Sequence, residues 1–314
     1  MKIKNKINIL KSYSIGDIID KVMNYPCNYM KKKDNKILLS SLRNCVITSV
    51  LPDINEYEKH RDKRVIISVT SFPKRFNQLV LTLKSIILQD IVPNKIIVYL
   101  GSDTNEKDIT LDMKKLQKYG VEYRIDKELN LKGHKKYFYA LREFKDSIVI
   151  TIDDDIIFPK TMVTELIRCY EKYPNAVCAR RVHKITKKNN RLLPYNLWDK
   201  EYTKQRKPSN RMFATTGAGT LYSPYVNNHL VNSTFDSKKI EELCLEADDV
   251  WMKCMEIMSS IKVVLADIKI MGDFIDVDEK LTLMPDNVGK GMNDVFLNKV
   301  INEYGIDLNL FISD

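Results

Sequence analysis

"IVITIDDDIIFP", Ile148 to Pro159, sets apolar, mostly β-branched residues on both sides of three consecutive aspartates, Asp153, Asp154 and Asp155. A short run such as Ile148 to Ile152 is what a strand buried on both faces requires. Three adjacent carboxylates repel one another, so the arrangement costs stability unless positive charge compensates it. A divalent cation is the obvious candidate, because hard oxygen ligands suit Mg²⁺ or Mn²⁺. In an extended backbone the first and third side chains point the same way, so Asp153 and Asp155 are expected to share a site with Asp154 turned elsewhere. The alternative is an acidic turn that caps a helix starting near Lys160.

The sequence upstream alternates strand and helix signals. "VIISV" (Val65 to Val69) reads as a strand, "RFNQLVLTLKSIILQ" (Arg75 to Gln89) as a helix and "KIIVYL" (Lys95 to Leu100) as a strand. "DITLDMKKLQKYG" reads as a helix ended by glycine, "VEYRI" as a strand and "KKYFYALREF" as a helix. Downstream, "KTMVTELIRCYEKYP" reads as a helix, "AVCAR" and "IKVVLA" as strands, and "PDNVGKGMNDVFLNKVINEYG" as a loop and helix. Repeated β-α-β units predict an α/β fold with a mostly parallel sheet flanked by helices. Ligands of such sheets bind beyond the carboxyl ends of the strands, where the three aspartates fall. The polar stretch His183 to Arg211 is long enough to be a functional loop.

Composition narrows the class. The 314 residues are 44% hydrophobic and 29% charged, ordinary for a globular chain, and the net charge of +10 favours an anionic partner. Nucleic acid is not the expected partner, since no helix-turn-helix or zinc module appears. The six cysteines form no CxxC pair and read as reduced thiols in a cytoplasmic protein. Residues 1–63 are lysine-rich with short amphipathic pieces, expected to form a basic, helical extension ahead of a domain spanning 64–314. Such a segment also suits a peripheral contact with anionic lipid at the inner face of the plasma membrane.

Basic residues accompany the acidic run. "KGHKKYFYAL" gathers Lys132, His134, Lys135 and Lys136 around a helix start, and "TSFPKRF" puts Thr70, Ser71, Lys74 and Arg75 on the loop after the first strand. With a carboxylate pair at the same sheet edge they describe a site for a metal-bound diphosphate. "TTGAGTLYSP" carries Gly217 and Gly219, for close backbone approach or simply a tight turn. "EADDVWMKCM" supplies Glu246, Asp248 and Asp249 ahead of a helix, as first-turn charge complements or as a general base. Trp251 suits either a platform for a sugar face or the core.

Taken in order, "VIISVTSFPKRFNQLVLTLKSIILQDIVPNKIIVYL", "ITIDDDIIFP", "GAGTLYSP" and "EADDVWMKCM" resemble the GT-A-fold glycosyltransferases, in particular the family-2-like bacterial enzymes that build surface polysaccharides. The resemblance covers roughly Arg64 to Tyr304. It implies a GT-A, Rossmann-like sheet, a nucleotide-sugar donor with UDP as the first expectation, Mn²⁺ or Mg²⁺, and a glycan or lipid-linked acceptor. It places Thr70, Ser71, Phe72, Arg75, Lys135, Lys136, Asp153 and Asp154 around the nucleotide, and Asp155 with Asp153 at the metal. Gly217, Ala218 and Gly219, with Trp251, fall beside the sugars. Asp249 becomes the base of an inverting transfer and Asp248 a ligand of the acceptor hydroxyl. Two departures stand out: the late acid pair is Asp-Asp rather than Glu-Asp, and no histidine follows His229 to serve as a late metal ligand.

Two other functions compete. A phosphatase of the haloacid-dehalogenase type also puts Asp-x-Asp after an apolar strand, with Asp153 as nucleophile and Asp155 as general acid. A non-catalytic carbohydrate-binding protein would leave the paired carboxylates without a task.

Overall fold

The computed structural model describes residues 39–127, 129, 131–189, 191–275 and 291–313. The chain divides into two units, Met1–Thr48 and Ser49–Asp314. In the first, residues 39–48 are helical. Of the expected basic extension, residues 49–63 fall in the second unit, with a helix at Ile54–Lys59 and the first sheet strand starting at Arg61, and residues 1–38 lie outside the described residues.

The second unit is built on a seven-stranded sheet. Its strands are β1 (Arg61–Ser71), β2 (Val92–Leu100), β3 (Val121–Ile125), β4 (Ile148–Ile152), β5 (Val177–Ala179), β6 (Ala218–Tyr222) and β7 (Val263–Leu265). Their order across the sheet is β7-β5-β6-β4-β1-β2-β3. Every neighbouring pair is parallel except those made by β6, which runs antiparallel to both β4 and β5. The helices that matter to the site are α1 (Phe76–Ile87), α2 (Lys135–Phe138), α3 (Met162–Lys172), α4 (Asp248–Met258) and α5 (Met292–Tyr304). Among the described residues no helix is long and apolar enough to cross a membrane.

Alternation along the strands separates two cores. Val65, Ile67, Val69, Ile148, Ile150 and Ile152 face one side, where they join Leu79 and Leu83 of α1 and Leu166 of α3. Ile66, Val149, Ile97 and Tyr99 face the other, against Tyr137 and Phe138 of α2, Trp251 and Met255 of α4 and Val300 of α5. Ile148 to Ile152 are all buried, so the continuous apolar run is explained by packing on both faces.

Parallel pairing brings the strand ends to one edge. Val69 is in register with Ile152, so Thr70 and Ser71 lie beside the start of the aspartate run. Antiparallel β6 begins with Ala218 opposite Ile152, which brings the loop before it, Thr215 to Gly217, to the same edge. The sequence reading did not place a strand at Ala218–Tyr222. The expected irregular stretch His183 to Arg211 is more ordered than its polarity suggests. Val182–Lys184 pairs with Met212–Ala214, and the rings of His183, Tyr195, Trp198 and Phe213 pack together.

Candidate active site

The aspartate run is a turn between β4 and a two-residue strand, Ile156–Ile157, rather than extended chain. Its three carboxylates part company there. Asp154 points inward and is 2% exposed. It accepts a hydrogen bond from Ser71 Oγ at 2.5 Å and pairs with Arg75 Nη1 at 3.1 Å, while its carbonyl accepts from Thr82 Oγ1 at 2.9 Å. This corrects the placement of Asp154 on the nucleotide side: it is the internal strut of the turn. Burial, only partly offset by Arg75 and Ser71, pushes its carboxyl up to about 7.

Asp153 and Asp155 face outward with side chains 39% and 23% exposed. Asp155 bonds to Arg75 Nη2. Its pKa is raised by burial and by the charge of Asp153, against the pull of Arg75. Asp153 Oδ1 accepts from Lys136 Nζ at 2.7 Å, and its backbone N–H donates to the Gly217 carbonyl at 2.8 Å. A Cβ on Gly217 would lie 1.6 Å from Asp153 Oδ2, so only glycine leaves room for this carboxylate. That is the close approach Gly217 is there to allow.

Lys136 is the hinge of the site. Its ammonium group also lies 2.9 Å from Asp248 Oδ2, and its side chain is 4% exposed. Burial opposes its charge, but Asp153, Asp248 and Asp249 together hold its pKa above the usual lysine value. Asp248 and Asp249 occupy the first turn of α4. Thr216 grips both: its N–H donates to Asp249 Oδ1 at 2.8 Å, and its hydroxyl lies 2.6 Å from Asp249 Oδ1 and 2.8 Å from Asp248 Oδ2. One hydroxyl hydrogen serves one carboxylate oxygen, so the two acids are not equivalent. Burial works against Asp248, yet the charge of Lys136, with hydrogen bonds from Lys136 and Thr216, outweighs it and holds its carboxyl down at about 2. Burial and the charge of Asp248 push Asp249 up to about 7. Opposed pKa values in one acid pair are how a site separates a permanent charge from a proton acceptor.

The other expected site residues sort as follows. Thr70 Oγ1 donates to the Tyr99 carbonyl at 2.8 Å, and the Arg75 guanidinium lies 5.8 Å from the centre of the Phe72 ring, so this loop does reach the edge. Lys135 is buried, which lowers its pKa against the pull of Asp103 and Asp126, beyond the ends of β2 and β3. His134 is fully buried, bonded to Tyr137 and to the Cys244 carbonyl, and burial lowers its pKa to about 4. It is a neutral packing residue rather than a phosphate contact. Lys132 pairs with Glu246. Ala218 and Gly219 are buried within β6, so of the glycine segment only Gly217 lies against a site carboxylate. Trp251 is 0% exposed and donates through Nε1 to the Thr234 carbonyl at 3.1 Å. The sugar-platform alternative is thereby corrected: no face of this ring is open.

Thr216, Gly133, Arg181 and Tyr195 were not picked out from the sequence. A Cβ on Gly133 would lie 2.9 Å from Asp248 Oδ1, so this glycine also makes room for a site acid. Thr216 stands next to Gly217 in "TTGAG", the one signal that pointed to its neighbourhood.

Among the described residues no three His, Cys, Asp or Glu side chains converge on one point. Mg²⁺ and Mn²⁺ do not need three, since one or two carboxylates and diphosphate oxygens suffice. Asp153 and Asp155 supply hard oxygens, both reach solvent, and Asp153 sits in the cradle that the missing Cβ of Gly217 leaves. This donor set fits such an ion.

Residues 67–230, more than half of the chain, match the model of glycosyl transferase family 2. The chain belongs to that family. The match takes in the aspartate turn, Lys136 and Gly217, and excludes the phosphatase reading; Asp248 and Asp249 lie beyond it. Among solved structures this family 2 glycosyltransferase is similar to S. aureus TarS 1-349 in complex with UDP-GlcNAc, at 12% identity over 77% of this chain and 67% of that one, with a TM-score of 0.50. It is also similar to the mannosyltransferase PcManGT from Pyrobaculum calidifontis in complex with GDP-Man and Mn²⁺, at 11% identity over 87% and 72%, with a TM-score of 0.47. At such identities the likeness concerns the fold, which is the expected GT-A architecture. No curated protein matches the sequence.

Proposed function

We propose that this glycosyltransferase moves a sugar from a nucleoside-diphosphate donor, a UDP-sugar first of all, to a hydroxyl of a glycan or lipid-linked acceptor in cell-surface polysaccharide synthesis. The observation that carries this reading is the joining of two acid pairs at one sheet edge by Lys136 and the Thr215–Gly217 loop. Asp155 and Asp153 would hold Mn²⁺ or Mg²⁺ together with the donor diphosphate. When bound, such an ion neutralises charge that develops on the departing diphosphate. The fold shared with TarS, solved with UDP-GlcNAc, suits a uridine donor.

Asp249 is the base. A carboxyl with a pKa of about 7 is half-ionised near neutral pH and accepts a proton effectively there. As the acceptor oxygen bonds to the anomeric carbon, its proton passes to Asp249 and the carbon–oxygen bond to the diphosphate breaks. With Asp249 as the one base, the transfer is a single displacement, with inversion. Asp248, kept ionised by Lys136, orients the acceptor hydroxyl. Lys136 also pairs with Asp153, so one cation joins the two acid pairs.

The test is calorimetric titration of UDP and GDP into the purified protein, with and without Mn²⁺, repeated on Asp155→Ala. Metal-dependent binding of one nucleotide, lost in the variant, is expected. Binding of neither nucleotide, or binding indifferent to metal and to Asp155, overturns the donor assignment.

A further inference from the structure

Arg180 and Arg181 follow one another at the end of β5 and are used in opposite ways. Arg180 is fully buried, paired with Glu165 at 3.1 Å and bonded to the carbonyls of Ile270 and Met271. It ties α3 to the later chain. Arg181 faces the site edge. Its Nε donates to Thr215 Oγ1 at 2.7 Å, the Thr215 hydroxyl lies 3.4 Å from the carbonyl of Arg181 itself, and the guanidinium lies 5.1 Å from the centre of the Phe274 ring. These contacts fix Nε and one face, and among the described residues no hydrogen bond takes up the two terminal nitrogens.

The other cations of the site are neutralised: Arg75 by Asp154 and Asp155, Lys136 by Asp153 and Asp248. Among the described residues no carboxylate lies within 4.0 Å of the Arg181 guanidinium. A held guanidinium with two open, parallel N–H donors is preorganised for an oxyanion, which it binds in bidentate fashion.

Its surroundings say which oxyanion. Thr215, which orients Arg181, is the chain neighbour of Thr216, which grips Asp249. The Tyr195 hydroxyl, its pKa raised by burial, feels the charges of Asp249 and Arg181 together. Through Phe274, which pairs with Ile156, the guanidinium also borders the aspartate turn. Thr215 and Thr216 set Arg181 beside the loop that grips the base, where the attacking hydroxyl has to lie. Lys200 also stands on this side, its Nζ 3.1 Å from the centre of the Tyr195 ring. Burial lowers its pKa to about 7 against the pull of Asp294, whose Oδ1 accepts the Tyr195 N–H at 2.8 Å.

Building on the assignment of Asp249 as base, we infer that Arg181 anchors an anionic group of the acceptor, so that the acceptor carries a carboxylate or phosphate close to the hydroxyl that is glycosylated. Arg181 is then a specificity-determining residue. An acidic sugar and a phosphorylated one present the same oxyanion chemistry to the guanidinium.

The experiment uses two matched probe pairs, methyl glucuronide against methyl glucoside and glucose 6-phosphate against glucose. Each is titrated into the full-length protein with and without saturating UDP and Mn²⁺, and the series is repeated on Arg181→Ala and Arg181→Lys. The charged member of one pair is expected to bind at least about tenfold more tightly than its neutral partner, and that pair identifies the oxyanion. Arg181→Ala removes the preference, Arg181→Lys restores part of it, and both keep the wild-type affinity for UDP with Mn²⁺. Equal binding of charged and neutral probes overturns the proposal. So does a tenfold loss of UDP affinity in Arg181→Ala with the charge preference intact, which would give the residue to the donor diphosphate. Failure of the donor reading shows separately, as absence of UDP and GDP binding by the wild type, and the probe titrations without nucleotide still score Arg181.

Discussion

Asp153 and Asp248 share one ammonium group: Lys136 Nζ lies 2.7 Å from an oxygen of the first and 2.9 Å from an oxygen of the second. One acid follows a sheet strand and the other opens a helix, so the lysine couples the two acid pairs. A buried cation in this position costs desolvation, and two carboxylates offset that cost.

Lys136→Met tests the coupling. The substitution keeps volume and removes the charge, so Asp153 and Asp248 face each other without compensation. Loss of one member of a buried ion pair costs about 3–5 kcal/mol. Urea denaturation should show a loss of that order with an unchanged m-value, and sugar transfer should fall by about a hundredfold or more. Unchanged stability would mean that the lysine is dispensable to the acid pairs.

Gly217→Ala tests the cradle. Its Cβ would collide with the Asp153 carboxylate at 1.6 Å, and Asp153 has to move. Metal-dependent nucleotide affinity, measured by calorimetry, should drop about tenfold or more while the protein remains folded. Gly305→Ala is the control. At φ 60° it meets strain but no neighbouring atom, so it should cost about 1 kcal/mol of stability and leave nucleotide binding alone. Equal effects of the two substitutions on binding would remove Gly217 from the site.

The sheet was legible because burial on both faces writes itself as continuous runs such as Val65 to Val69 and Ile148 to Ile152. The acid pairs were legible because carboxylates at the end of an apolar strand and at a helix start need a reason. Alternation along the chain already set Asp154 apart from Asp153 and Asp155. What it did not show is that the chain bends at the run and buries Asp154, since no periodicity encodes that bend. Trp251 is equally at home in a core or on a sugar face until α4 is packed. Ala218–Tyr222 is short, glycine-bearing and antiparallel, and its pairing partners are remote in the chain. Arg181 looked like any surface arginine because its meaning rests on Thr215 and Phe274, both far along the sequence.

The Arg75–Asp154 pair supports a double-mutant prediction. Arg75→Met strips Asp154 of the cation that opposes its burial, which should destabilise by about 2–4 kcal/mol in chemical denaturation. Asp154→Asn in the same chain leaves an amide that still accepts from Ser71, so the double variant should recover at least half of the loss. If the two losses simply add, the pair is not coupled and Asp154 is held by its hydrogen bonds alone.

Asp249 ties activity to pH and to stability with opposite signs. Burial and Asp248 raise its carboxyl from 3.8 to about 7. Between about pH 4 and pH 7 the folded protein keeps a proton that the unfolded chain has already released. Stability therefore falls as pH rises through that window, and the full cost is present above it. The proposed role as base needs the proton gone, so kcat/KM should climb through about pH 7 and then level off. Asp249→Asn removes the charge and keeps an oxygen for the Thr216 N–H. It should be more stable than the wild type by about 1–3 kcal/mol at pH 8 and nearly equal to it at pH 4, with transfer lowered by about a thousandfold. Thermal unfolding across that pH range, beside a pH–rate profile, reads both effects. A flat rate profile, or an asparagine variant less stable than the wild type at pH 8, would move the base away from Asp249.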